Sequence, residues 1–420
     1  MTVGMMLDCG SGHSSIIWYS ECQGVIRQLR RSKLRLPEGG NYKITDAFER
    51  AVPIAESAAA FAGALRAEIA DARSGGIEQP DIIYVGATGG LRNMLSDGRV
   101  APAALREFET SLLDGLSGAF GGQKSVAKFG VISGEEEAAW ELAAAELIYG
   151  DARNSMFSDA KVGGFGLFSG GGSSMQVQQA AGAPRSFPFS TWCGPEMDEE
   201  LGADIHAWKD ADKWERWEAG LLAKIVEAKE SLAVELGRGQ LFSGCFLLTA
   251  MCHVAATAAG FAEAPVTAAE AVRRLAAALE QFRVGAEEPF ESFVAGRHSV
   301  HPTVSAWYSS QPPHHLARVG AMHICRLKLV LSLLFDPDAS LFAPPATDSN
   351  GARLDCEWTL QLFAKEAQAL AAAATAPEGG DDASKGAGGG QRGLLSCFRR
   401  RRPHHDASAS RKGTGTTVTV

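Results

Sequence analysis

Two glycine-serine turns, about 160 positions apart in a chain of 420 residues, repeat one small design. The first is Leu7-Asp8-Cys9-Gly10-Ser11-Gly12-His13-Ser14-Ser15, running on into Ile16-Ile17-Trp18-Tyr19. The second is Phe168-Ser169-Gly170-Gly171-Gly172-Ser173-Ser174-Met175-Gln176, running on into Val177. In each, an apolar strand-like segment enters a turn of small residues and a second strand-like segment leaves it. A third short run follows, Val25 to Leu29 in one half and Ser186 to Phe189 in the other. Two such units predict a duplicated fold. Glycine lets backbone N–H groups come close to an anion, and serine adds hydroxyl donors. Two such turns facing each other would grip a polyphosphate from both sides.

The rest of the chain alternates strands and helices. A helical, alanine-rich stretch runs from about Asp46 to Arg73. Asp81 to Val85 reads as a buried strand, Pro102 to Leu116 as a helix, and Lys128 to Ile132 as a strand leading into a helix that ends at Tyr149. Beyond the second turn the pattern is mostly helical, with candidates at Pro195–Trp208, Trp214–Leu236, Leu241–Gly260, Thr267–Phe282 and Ala321–Phe335, and a last element over Cys356 to Ala374. This predicts an α/β protein of two lobes with a cleft between them, where loops leave the strand ends. The first lobe takes 1–133 with 355–375, a helix-rich second lobe takes 134–354, and 376–420 is a disordered tail.

Composition narrows the partners. The net charge of −9 gives no general attraction for nucleic acid. The eight cysteines make no CxxC pair and no zinc spacing, so free, buried thiols are expected. The strand that opens the chain leaves no room for a signal peptide, and Leu241 to Phe261 fits a buried helix better than a membrane span; a cytoplasmic protein is expected. In the tail, Arg399 to Arg402 follow Cys397 and Phe398. Two readings stand: weak membrane association, with acylated Cys397 as second anchor, or a solvated basic tail.

Three segments besides the second turn carry chemistry. Asp8 closes the first strand, where a carboxylate either holds a water of a divalent cation or satisfies N–H groups of its own turn. Gly86-Ala87-Thr88-Gly89-Gly90-Leu91-Arg92 is a strand, a tight turn and a helix start, with Thr88 as hydroxyl donor or N-cap. In Ser133-Gly134-Glu135-Glu136-Glu137, Ser133 and Glu136 fit a capping box. Glu137, one step beyond that pair, is the candidate general base for a water attacking phosphorus.

These segments, in this order, resemble the nucleoside triphosphate diphosphohydrolases, or apyrases, over about 1–370. Asp8 to Ser15 resembles D-A-G-S-S-x-T-S, GATGGLR at 86–92 resembles G-A-T-A-G-M-R, SGEEEAAWEL at 133–142 resembles S-G-E-E-E-G-x-Y-G-W, and SGGGSSMQ at 169–176 resembles D-L-G-G-A-S-T-Q. Trp358-Thr359-Leu360-Gln361 matches a fifth motif, W-x-L-G, in part. The resemblance implies ribonuclease H-like lobes of the actin-like ATPase type. It implies hydrolysis of terminal phosphates of nucleoside tri- and diphosphates with Ca²⁺ or Mg²⁺. Glu137 would be the base, with Ser174 and Gln176 holding the attacking water. Ser11, Gly12, His13, Ser14, Gly171, Gly172 and Ser173 would hold phosphates, Asp8 metal-bound water, and Thr88 and Arg92 would complete the site.

The chain departs from that family at Ser169, where an aspartate is usual, and at Ala138, where a glycine is usual. Leu241 to Leu248 resembles the family's base-binding segment, but Leu247 and Leu248 replace its tyrosines, so base stacking is expected to be weak. Two further readings follow. Gly170-Gly171-Gly172-Ser173 with Ala138 also resembles exopolyphosphatases, and Ser169 fits a nucleotide-binding protein with impaired catalysis.

Overall fold

The structure, a computed structural model, describes residues 1–10, 14–35, 42–117, 126–150, 164–171, 174–188, 210–236, 241–261, 264–285, 287–300, 313–344 and 357–375. The first sheet holds β1 (Thr2–Cys9), β2 (Ser14–Cys22), β3 (Val25–Lys33), β4 (Ile82–Ala87) and β5 (Val126–Val131), in the order β3-β2-β1-β4-β5. β1, β2 and β3 are antiparallel neighbours, while β4 runs parallel to β1 and β5 parallel to β4. Gln23 and Gly24, with φ of 54° and 82°, supply the two left-handed residues of a tight β2–β3 turn.

The second sheet repeats this plan. β6 (Gly166–Gly170), β7 (Ser174–Gln178), β8 (Arg185–Pro188), β9 (Cys245–Thr249), β10 (Val266–Thr267) and β11 (Ser340–Phe342) lie in the order β10-β11-β9-β6-β7-β8. Apart from the edge strand β10, each strand has a counterpart in the first sheet. β6, β7 and β8 are antiparallel, and β9 and β11 extend the sheet in parallel, as β4 and β5 do. The hairpin registers also agree. Asp8 lies opposite Ser15 and Ser169 lies opposite Gln176, the same separation in both. Ser169 is therefore the second sheet's counterpart of Asp8. This duplicated sheet order is that of a two-lobed, ribonuclease H-like α/β fold.

The inner strands read as continuous apolar runs because both faces are covered. On one face of the first sheet, Met5, Leu7 and Val85 pack under helices α1 (Asp46–Glu49), α2 (Ile54–Ser74), α3 (Gly89–Ser96) and α4 (Pro102–Ser117), through Ala47, Phe61, Leu65, Leu91, Phe108 and Leu112. On the other face, Met6, Ile17 and Tyr19 meet Trp358 and Phe363 of the C-terminal helix. Helix α5 (Gly134–Tyr149) lays Leu142, Ala145 and Tyr149 on Leu167 and Leu247 of the second sheet. The far side of that sheet carries Phe168 and Leu248 against α6 (Ala211–Leu236), α7 (Ala250–Ala258), α8 (Ala268–Val284), α9 (Glu287–Val300) and α10 (Pro313–Leu334). Helix α11 (Trp358–Thr375) returns to the first sheet, where Trp358 meets Trp140 of α5 at 6.2 Å between ring centroids.

Several expected elements differ. The stretch from Asp46 to Arg73 is two helices, because Pro53 cannot continue the first and instead precedes the second. Leu241–Gly260 is not one helix but strand β9 followed by α7, broken at Ala250, whose φ is 50°. The helix expected at Ala321 begins at Pro313, and α9 and β11 were not expected. Pro195–Trp208 and the tail from 376 lie outside the described residues. Cys9, Cys22, Cys245, Cys252 and Cys325 are free thiols. Among the described residues, no helix is long and apolar enough to cross a membrane.

Candidate functional site

The N-terminus of α5 lies where the two sheets approach each other. Ser133 Oγ accepts from Glu136 N at 3.1 Å, and Glu136 Oε2 accepts from Ser133 N at 3.0 Å, closing a capping box. Such a cap contributes about 1 kcal/mol to the helix. It occupies Glu136, while Glu135 faces solvent. Glu137 is left to turn inward. Gly134 sets the closeness of approach: a Cβ there would collide with the Ser186 side chain on β8.

Glu137 Oε2 accepts from Arg92 Nη1 at 3.0 Å and from Gln176 Nε2 at 3.2 Å. Arg92 sits on α3 beside the first sheet. Its Nη1 also donates to the Ile132 carbonyl at 2.9 Å, and its Nη2 to Ser174 Oγ at 3.3 Å. Gln176 Nε2 donates to Ser174 Oγ at 2.7 Å. Ser174 and Gln176 project from one face of β7 because strand side chains alternate. Four side chains from α3, α5 and β7 therefore form one hydrogen-bonded cluster spanning both lobes. The Glu137 and Arg92 side chains are 14% and 19% exposed, so they are sheltered yet reachable. Burial lifts the Glu137 carboxyl above the usual range, even though the Arg92 guanidinium pulls the other way.

A second cluster sits on the first sheet. Thr88 Oγ1 donates to Asp8 Oδ1 at 3.2 Å. Thr88 stands at the N-cap of α3, but its hydroxyl accepts no bond from that helix. Its hydroxyl is directed to Asp8 instead. Burial first, then the charges of Glu137 and Glu357, push the Asp8 carboxyl up to about 7; the Thr88 hydrogen bond and the Arg31 charge oppose this. Arg31 on β3 pairs with Glu357 at 2.5 Å.

Of the expected phosphate-holding set, Ser14 and Gly171 can be located. Ser14 opens β2 and is buried, its N–H donating to the Tyr42 carbonyl at 3.0 Å. Gly171 N–H donates to the Ser174 carbonyl at 2.8 Å, which closes the second turn. Ser11, Gly12, His13, Gly172 and Ser173 lie outside the described residues, as do Cys397 and Arg399 to Arg402.

Two residues at the site were not expected. Glu141, one helical turn beyond Glu137, is buried and hydrogen-bonded to Ser169. Its signal in the sequence is an acid set between the apolar residues Trp140 and Leu142 of α5. Arg326 on α10 is 1% exposed, with Nη1 3.5 Å from the Gly171 carbonyl. It lies beside Gly170, Gly171, Cys252 and His323. Its signal is one arginine inside an apolar helical run. Leu247 and Leu248, expected to stack a base only weakly, are both fully buried in β9 and cannot form the wall of a base pocket.

Among the described residues, no group of three or more His, Cys, Asp or Glu side chains is arranged to ligate a metal directly. The donors nonetheless fit a hard cation that keeps its own water shell. Asp8 is half-buried among carboxylates, and Glu141 Oε2 is buried with no hydrogen-bond partner among the described residues.

No protein-family model matches the chain, and no curated protein matches it. In structure it is similar to the Aquifex aeolicus Ppx/GppA phosphatase in its type II variant, with 13% identity, a TM-score of 0.49 and coverage of 87% of this chain and 99% of that one. It is similar also to an exopolyphosphatase from Cytophaga hutchinsonii, with 10% identity, a TM-score of 0.48 and coverage of 87% and 98%. A nucleoside triphosphate hydrolase from Neospora caninum shows 10% identity, a TM-score of 0.46 and coverage of 86% and 91%.

Proposed function

We propose that this chain hydrolyses the terminal phosphate of nucleoside tri- and diphosphates, using water activated by Glu137 together with Ca²⁺ or Mg²⁺. The observation that carries this reading is the meeting of Glu137 with Arg92 from one lobe and Gln176 from the other, with Ser174 accepting from both Arg92 and Gln176. A carboxylate lifted by burial is a stronger proton acceptor than an ordinary one. The guanidinium beside it offers charge to phosphoryl oxygens in the transition state. Water held by Glu137, Ser174 and Gln176 would give its proton to Glu137 as its oxygen bonds to phosphorus. The bridging P–O bond would break, and its electron pair would leave with the shortened nucleotide.

Ser11, Gly12, His13 and Ser14 from the first turn, with Gly171, Gly172 and Ser173 from the second, would hold the phosphate chain. Asp8, steadied by Thr88, would hold a water of the cation. When bound, that cation would neutralise charge on the phosphates. The order of the four motifs supports an apyrase-like reading of this kind.

One observation favours a second reading, cleavage of terminal phosphates from polyphosphate. Leu247 and Leu248 are buried, as are the aromatic Phe242 and Phe246 of the same segment, so none of these four side chains is open to a base. Steady-state phosphate release from ATP, ADP and polyphosphate, with and without Mg²⁺ or Ca²⁺, tests both. Cation-dependent release from ATP and ADP supports the first, release from polyphosphate alone supports the second, and no release from any of the three overturns both.

A further inference from the structure

Each lobe ends an inner strand at the cleft, and the two ends are equivalent in register. In the first lobe that position is Asp8, opposite Ser15; in the second it is Ser169, opposite Gln176. Strand for strand, the second lobe has a hydroxyl where the first has a carboxylate. A carboxylate nevertheless reaches the same spot. Glu141 extends from α5 and hydrogen-bonds to Ser169, which is itself 2% exposed. Glu141 is 7% exposed, and its second oxygen, Oε2, is buried without a hydrogen-bond partner among the described residues.

A buried carboxylate oxygen with no donor is costly, because it gives up its water and gains nothing in return. Among the described residues, no Lys or Arg forms an ion pair with Glu141. The groups that bear on it are Glu137, Asp8 and Glu357, all of one sign, and with burial they hold its carboxyl well above the ordinary range. A capping or helix-stabilising role does not explain it either, because Glu141 lies in the second turn of α5, beyond the reach of the helix N-terminus. Arg31 and Arg92, the nearby cations, are paired with Glu357 and Glu137.

We infer that Glu141 is the second lobe's acidic group for a divalent cation, a carboxylate supplied from helix α5 to the place that strand β6 fills with Ser169. Asp8 and Glu141 then flank the cation from the two lobes and hold it through its waters, with Ser169 fixing the Glu141 carboxylate. This rests on the cation-dependent reading above.

The test is Mn²⁺ binding to the full chain, read by the spectroscopic signal of the free ion, with no nucleotide present. Removing a carboxylate that orients a metal's water shell costs roughly 10–100-fold in affinity. Asp8→Asn and Glu141→Gln are each expected to weaken Mn²⁺ binding by about tenfold or more. Ser169→Asp combined with Glu141→Ala moves the carboxylate back to the strand and is expected to bring binding back to within a few-fold of the original. The double variant also separates a charge requirement from a packing defect, because it shortens residue 141 further and yet should bind. If Asp8→Asn loses Mn²⁺ while Glu141→Gln binds as the original chain does, the inference falls and the cation reading survives. If the original chain binds no Mn²⁺, the cation reading itself falls and takes this inference with it.

Discussion

The two lobes carry the same hairpin in the same register, yet they bring different chemistry to the cleft. The first contributes charge from its own strand and following helix, as Asp8 held by Thr88 and as Arg92. The second contributes neutral donors from its hairpin, Ser174 and Gln176, and takes its charge from α5. Duplicated backbone thus fixes where side chains arrive, while each copy is free to differ in what arrives. The helix that joins the lobes makes up the difference. Its first turn supplies Glu137 and its second supplies Glu141, four residues apart on one face.

That asymmetry can be broken most severely at Glu137. Glu137→Gln keeps the shape and the Arg92 contact but removes the proton acceptor. Turnover is expected to fall about 10²–10⁴-fold with nucleotide affinity largely kept. Glu136→Gln, which touches only the helix cap, is expected to leave turnover within a few-fold. Initial rates and equilibrium binding on both variants check this, and the reverse pattern would move the base by one residue.

Arg92 is next. Arg92→Ala is expected to lower the rate about 10²–10³-fold, since it removes a donor aimed at developing charge. It should also move the acidic limb of the pH–rate profile upward. The sign follows from the pairing: Arg92 lowers the Glu137 carboxyl, so its loss lets burial raise that carboxyl further. The base is then protonated at a higher pH. A profile with an unmoved acidic limb would mean that Glu137 does not titrate in catalysis.

The comparison sharpens at Ser169. Restoring the strand carboxylate alone, Ser169→Asp, sets it against buried Glu141 and is expected to cost about 1–3 kcal/mol of metal-free stability. Adding Glu141→Ala should recover part of this, giving a coupling of about 0.5–3 kcal/mol between the two sites. Urea denaturation of the two single variants and the double variant measures it; simple additivity would show that residues 141 and 169 do not share a pocket.

The smallest effect concerns the base. With Leu247 and Leu248 buried in β9, ATP, GTP and UTP are expected to differ by less than tenfold in kcat/KM. Stacking on an aromatic ring is worth about 1–3 kcal/mol per base, and these leucines offer none. A larger preference, read from competing initial rates, would reveal a base reader elsewhere in the second lobe.

Much of this arrangement was legible in the sequence. β1 and β4 are apolar runs that end at small-residue turns, and α5 begins and ends where its cap and Tyr149 indicate. Glu137 could be singled out because the cap accounts for Glu136. The break inside 241–260 was not legible, since a run of buried apolar residues suits a strand as well as a helix until the backbone turn at Ala250 is known. Glu141 escaped for another reason. A helix position becomes part of a site only once β6 packs beneath it, and that pairing joins residues distant in sequence. Arg326 likewise gains meaning only when α10 comes to lie behind Gly171.

The most direct test of the account is a single turnover of ATP in ¹⁸O-water with Mg²⁺, stopped by acid and examined for labelled phosphate, labelled ADP and phosphorylated protein. Attack of a Glu137-activated water on the terminal phosphorus predicts one solvent oxygen in the released phosphate, none in ADP and no phosphorylated protein. Trapped phosphoprotein, solvent oxygen in the ADP, or no phosphate release would contradict it.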